Sequence, residues 1–124
     1  MANPNIVNVS AIYGRTSYLA LSTTSATTLV SNASSSGKVF KINMIQVANV
    51  DGTNNCDVTV DVHSAAAGGG TPYSLAALVS VPAKASMVII DKNAAVYLQE
   101  NQSITVTAGT ANDLEVVVSY EEIN

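Results

Sequence analysis

His63, Cys56 and the carboxylates of Asp57 and Asp61 fall within one stretch, CDVTVDVH, and this chain would have to assemble any chemistry from them. The stretch alternates apolar and polar residues with period two, as a half-buried strand does. That puts Cys56, Val58, Val60 and Val62 on one face, and Asp57, Thr59, Asp61 and His63 on the other. A catalytic triad needs a histidine between a nucleophile and an acid, and the sequence names no such partners for His63. A strand-end histidine beside the loop AAAGGG is expected to be a solvated surface residue. Asp57 and Asp61 share a face but lie four residues apart, hence about 13 Å, beyond the roughly 5 to 9.5 Å of a glycosidase acid pair. Cys56 lies on the apolar face and reads as a small buried hydrophobe rather than a reactive thiol.

The remaining motifs are equally poor in chemistry. One Cys and one His cannot complete a structural zinc site, and a lone Cys excludes an internal disulfide. Asp51-Gly52-Thr53-Asn54-Asn55 gathers oxygen ligands but lacks the spacing and closing glutamate of a calcium loop, which leaves a turn. AGGGTP lacks the Lys-Ser/Thr of a phosphate-binding loop and opens no helix. Sequons at Asn8, Asn32 and Asn101 are expected from an Asn- and Ser-rich composition, because MANPNIVNVS carries no secretory signal. With no Trp, one Phe and five Tyr, stacked platforms for sugars or single-stranded nucleic acid are disfavoured. No catalytic residue, metal ligand, cofactor or small-molecule substrate is therefore expected.

Charge narrows the partners further. The net charge is −4, and Arg15, Lys38, Lys41, Lys84 and Lys92 are dispersed, whereas nucleic-acid binding needs a concentrated basic patch. No apolar run reaches the roughly 20 residues of a membrane helix. Only 11% of residues are charged while 48% are hydrophobic, so Ser, Thr and Asn must cover the surface. Such an exterior fits a protein partly covered by neighbours, and it also fits a composition in which Thr simply suits strands.

Short β-branched or alternating runs fall at residues 6–12, 18–21, 27–31, 39–50, 56–63, 73–81, 87–91, 95–98, 104–108 and 114–121. About eight to ten short strands in a chain of this length predict a single all-β domain spanning 1–124, an antiparallel sandwich of jelly-roll type. YSLAALVSV at 73–81 could pass for a helix, but GGGTP before it and VPA after it leave a length ordinary for a strand. Asp51-Gly52 between two strong strands predicts an antiparallel hairpin. In 39–50 the apolar parity switches from Phe40, Ile42 and Met44 to Ile45 and Val47, which predicts a β-bulge near Met44 or burial of both faces. Asn112-Asp113, helped by Gly109, marks a further reversal, and 65–70 reads as the most flexible connection. In the last strand Leu114, Val116 and Val118 line one face; Val117 stands on the otherwise polar face and is expected to meet a second layer or a neighbouring subunit.

The pattern SVPAKASMVIIDK followed by VYLQENQSITVTAGTANDLEVVVSYEEI resembles small β-sandwich structural proteins of tailed bacteriophages, particularly marine and cyanobacterial ones. The opening NIVNVSAIYGRTSYLAL is similar to the start of such proteins. The resemblance implies a non-enzymatic virion component assembled in a host cytoplasm, foremost a capsid decoration or cement protein. Its partners are then its own copies, in a homo-oligomer expected to be a trimer, and the major capsid protein or another virion protein. A neck, tail or fibre module is the alternative, and a carbohydrate-binding jelly roll of lectin or cupin type a more distant one. The acidic turn of such proteins is here Gln99-Glu100-Asn101-Gln102, which carries less charge. Candidate interface residues are Asn3, Pro4 and Ile6, in an extended N-terminal segment (1–10) that is either a docking arm or a disordered leader, together with Val117.

Overall fold

A computed structural model of the chain describes residues 3–124. It contains nine strands: β1 (Ile12–Ala20), β2 (Thr27–Asn32), β3 (Val39–Asn49), β4 (Cys56–His63), β5 (Pro72–Val81), β6 (Ser86–Ile90), β7 (Val96–Leu98), β8 (Gln102–Ala108) and β9 (Leu114–Ile123). One sheet runs β1-β9-β3-β6, with β7 also paired to β3, and the other runs β2-β8-β4-β5. All pairings are antiparallel. The first two strands lie along the last two, one pair in each sheet, and the intervening strands roll up inside them. This is the jelly-roll order, as the strand pattern led us to expect.

Alternation decides which side of each strand is buried. Leu114, Val116 and Val118 of β9, Ile42, Ile45 and Val47 of β3, Val58 and Val60 of β4, and Ile104 and Val106 of β8 fill the space between the sheets. The parity switch in β3 is resolved by a bulge: its register against β9 slips between Ile42 and Met44, which returns Ile45 and Val47 to the inner face. The 73–81 segment is a strand, interrupted by register slips against β4.

Two expectations need correction. The hairpin across residues 50–55 does not form, because β3 and β4 belong to opposite sheets. Neither Asp51 nor Gly52 takes the positive φ that a two-residue hairpin requires. Asp51 instead closes a local turn, its Oδ2 accepting from the Asn54 N–H at 2.8 Å. The reversal expected at Asn112-Asp113 is present, with Asn112 at φ 69°, and it arches from one sheet to the other. Finally, the strands expected at 6–12 and 18–21 are one strand, β1, and residues 6–11 lie outside it. β1 pairs with β9 alone and is exposed on both faces over most of its length, so burial imposes no alternation on it.

Because most connections cross between sheets, strand ends leave backbone groups without ladder partners in a dry gap. Two buried asparagines, each the last residue of its strand, satisfy them at opposite ends of the sandwich. Asn49 Nδ2 donates to the carbonyls of Val81 (2.9 Å) and Asn54 (3.0 Å), and its Oδ1 accepts from the Asp51 N–H. Asn32 Nδ2 donates to the carbonyls of Lys38 (2.9 Å) and Leu98 (3.1 Å), and its Oδ1 accepts from Ser36 Oγ. Asn49 thus ties β3 to β5, and Asn32 ties β2 to β7. Asn49→Ala orphans these groups and is expected to cost about 2–3 kcal/mol, a fall of roughly 10 °C in Tm. Asn49→Asp sets a carboxylate against the same carbonyls and should fall at least as far. Calorimetry checks both, and a change of only a degree or two would contradict the clamp.

Candidate interaction surface

His63 has the outward parity expected of it, yet it is only 7% exposed rather than solvated. The connection after β4 folds back over it. Its Nδ1–H donates to the Gly69 carbonyl at 3.2 Å, leaving Nε2 to pair with the Thr105 hydroxyl at 2.8 Å. The same connection is latched to β2 and β8. Gly68 N–H donates to Ser103 Oγ, Ser103 Oγ–H donates to the Ala65 carbonyl, and Ala67 N–H donates to Ser31 Oγ. The segment expected to be the most flexible connection is therefore a docked cap. Its glycines allow close approach: a Cβ on Gly68, at φ +73°, would sit 3.2 Å from Thr105 Cγ2.

The other chemistry-bearing residues do not converge. Asp61 Oδ1 accepts from Ser74 Oγ at 2.7 Å on the adjacent strand. Cys56 is buried, its Sγ turned toward the carbonyls of Asp57 and Thr110. In the 51–55 loop, Asp51 and Asn55 spend side-chain oxygens on the N–H groups of Asn54 and Ala83. Among the described residues no cluster of three His, Cys, Asp or Glu could hold a metal ion. Glu122 is held by Arg15 (3.5 Å) and Lys38 (3.2 Å) at the edge of the sandwich, beyond the Phe40–Tyr120 ring pair.

The two outward faces differ sharply. On the β2-β8-β4-β5 sheet the outward side chains of β2, β8 and β4 are hydroxyls and acids, among them Thr28, Ser31, Asp57, Thr59, Asp61 and Thr107, while the edge strand β5 exposes Tyr73 and Leu78. On the β1-β9-β3-β6 sheet the register lines up Tyr18, Val117, Gln46 and Val88 in one row across four strands. Tyr18 is 76% exposed, Val88 54% and Val117 37%. Val117 therefore points away from the second layer of the sandwich and is partly exposed on its outer face. Hollows flank this row. One of about 290 Å³ lies beside Tyr18, Glu115 and Val117, and one of about 530 Å³ is walled by Asn43, Met44, Val88, Asp91, Lys92 and Ser119.

Residues 3–11 cross the lower end of this same face as a strap. Asn3 Oδ1 accepts from the Glu100 N–H at 3.2 Å, and the N–H groups of Ser10 and Ala11 donate to the Asn124 carbonyl. Asn3, Pro4 and Ile6, with Val39, Tyr97 and Gln99, line a hollow of about 240 Å³ beneath the strap. Three of the four interface candidates thus rest against their own chain, at the end of the face that carries the fourth. Residues 1 and 2 of the expected arm lie outside the described residues. Tyr18, Val88 and Tyr97 were not singled out from the sequence, although each is an apolar residue on the outward parity of its strand.

Ser103→Ala removes the Oγ that bridges Gly68 and Ala65 and is expected to cost about 1–3 kcal/mol. Hydrogen exchange should show Gly68 losing protection while the β3 and β9 amides keep theirs. Uniform loss across the sandwich would mean that the cap is part of the global unit. Comparison with protein-family models and with curated protein sequences finds no match for this chain.

Proposed function

We propose that the protein is a non-enzymatic structural component of a tailed-bacteriophage virion, a decoration protein that covers the capsid surface as a homo-oligomer. The observation that carries this reading is the asymmetry of the two outward faces. One is hydroxyl-rich except at its edge strand; the other presents a half-apolar, hollowed surface on which Tyr18, Val88 and Val117 stand among Lys41, Glu115 and Glu121. Broad sheet faces suit docking because a specific, stable contact buries about 600–1,000 Å² on each partner. The resemblance of the closing third of the chain to phage virion proteins supplies the context, and the sparse charge of the exterior is consistent with a surface partly covered by neighbours.

Quantitative mass spectrometry of purified particles tests the assignment. A capsid lattice offers on the order of hundreds of equivalent sites, whereas a neck, tail or fibre ring offers about three to twelve. Hundreds of copies are the expected result. A dozen or fewer would move the protein to the tail, and its absence from particles would overturn the virion reading. Saturable binding to a glycan, with none to capsids, would favour the lectin alternative.

A further inference from the structure

The outward face of the β1-β9-β3-β6 sheet is complementary to itself. We propose that it forms a two-fold interface between two copies of this chain, with the axis parallel to the strands and midway between β9 and β3. That operation lays β9 of one copy over β3 of the other, and β1 over β6 and β7. The proposal does not depend on the virion reading, since it concerns only how copies meet.

The register makes the match explicit. Nearest the strap, one row reads Gly14, Glu121, Lys41, Tyr97 across β1, β9, β3 and β7. Reversed by the two-fold, Glu121 faces the second copy's Lys41 and Lys41 faces its Glu121. In the same row Tyr97, 43% exposed, faces Gly14, where an added Cβ would have nothing within 4 Å. The next matched row reads Tyr18, Val117, Gln46, Val88. Reversed, it stacks the exposed Tyr18 ring on Val88 and Val117 on the stem of Gln46. In these two rows one operation pairs opposite charges, large with small, and apolar with apolar; in the row beyond, Ala20, Glu115, Ala48, Ser86, it sets Glu115 beside the small Ala48 at the margin of the face. The other in-plane two-fold, perpendicular to the strands, lays β9 on β9 and brings Glu115 toward Glu121. Like-charge juxtaposition of that kind argues against it.

Size and shape agree. Four strands about 4.8 Å apart and nine residues long at about 3.4 Å each present roughly 600 Å². Two such faces bury about 1,200 Å², the lower bound for a specific, stable contact. The strap thickens the face near Val39, so two copies meet as a wedge, closest at the Tyr18 row. A two-fold contact closes on two copies, so the assembly unit is a dimer rather than the trimer that the resemblance implies.

Sedimentation equilibrium of the full chain, whose monomer mass is 12.7 kDa, tests this. The native chain should sediment at twice that mass. K41E and E121K each set like charges across the axis and should weaken self-association by about tenfold or more. Mixed together they should restore the dimer, because one copy then presents two acids where the other presents two bases. Asp57→Lys, on the opposite sheet, should leave association unchanged. Melting curves confirm that each variant is folded; should K41E or E121K fail to fold, Val88→Glu, placed against the Tyr18 ring, is measured in its stead and should weaken the dimer as much. A native chain that stays monomeric at millimolar concentration overturns the proposal. So does a dimer indifferent to the substitutions in β3, β9 or β6, a mixture that fails to recover, or a dimer broken by Asp57→Lys.

Discussion

The gap between the two sheets has to be dry, and the chain crosses from one sheet to the other at most of its connections. Those two conditions conflict at the strand ends, where backbone groups leave the ladder before reaching water. Asn32 and Asn49 resolve the conflict at opposite ends of the sandwich. Each offers a side-chain amide that donates twice and an oxygen that accepts once, and each reaches from a strand of one sheet to a carbonyl of the other. A hydrophobic residue in either place would fill the volume and orphan the carbonyls. The core described by Ile42, Val47, Val58 and Val116 can close only because these polar side chains stand inside it.

With the ends clamped, the two outward faces are free to differ. The β2-β8-β4-β5 face carries hydroxyls and a docked cap, in which Ser103, Thr105 and His63 are buried beneath residues 65–70. His63, Ser103 and Thr105 are hydrogen-bonded to the cap and to one another, and Asp61 to Ser74. The β1-β9-β3-β6 face carries exposed Tyr18, Val88 and Val117, and hollows flank them. An edge strand exposed on both sides and a strap that crosses one end complete this surface. The docking part of the proposed role rests on this division of labour.

Much of the fold was legible because burial imposes period two. CDVTVDVH declared its strand boundaries and its inner face, and the switch of parity in FKINMIQV pointed to a bulge near Met44 or to burial of both faces, of which the register slip between Ile42 and Met44 is the first. LEVVVSYEEI showed which side of β9 is core and left Val117 visible as an anomaly. The strand β1 was hidden for the opposite reason: IYGRTSYLA is exposed on both faces over most of its length, so nothing in it alternates. The candidate surface was half legible. Val117 stood out because it breaks a polar face, whereas Tyr18, Val88 and Tyr97 gain meaning only when the register sets them beside it.

Local patterning in the sequence determined that this is an all-β sandwich, which side chains line its core, and that the residues of a familiar catalytic or metal site do not recur at workable spacing. Tertiary structure alone decided which strands are neighbours. Period two records which side of a strand is buried and carries nothing about its partner, and here most partners are distant in the chain. That is why Asp51-Gly52, a hairpin by local preference, became a crossing between sheets. It is also why His63, polar and at a strand end, disappeared beneath a glycine-rich cap held by Ser31 and Ser103 from elsewhere in the sequence.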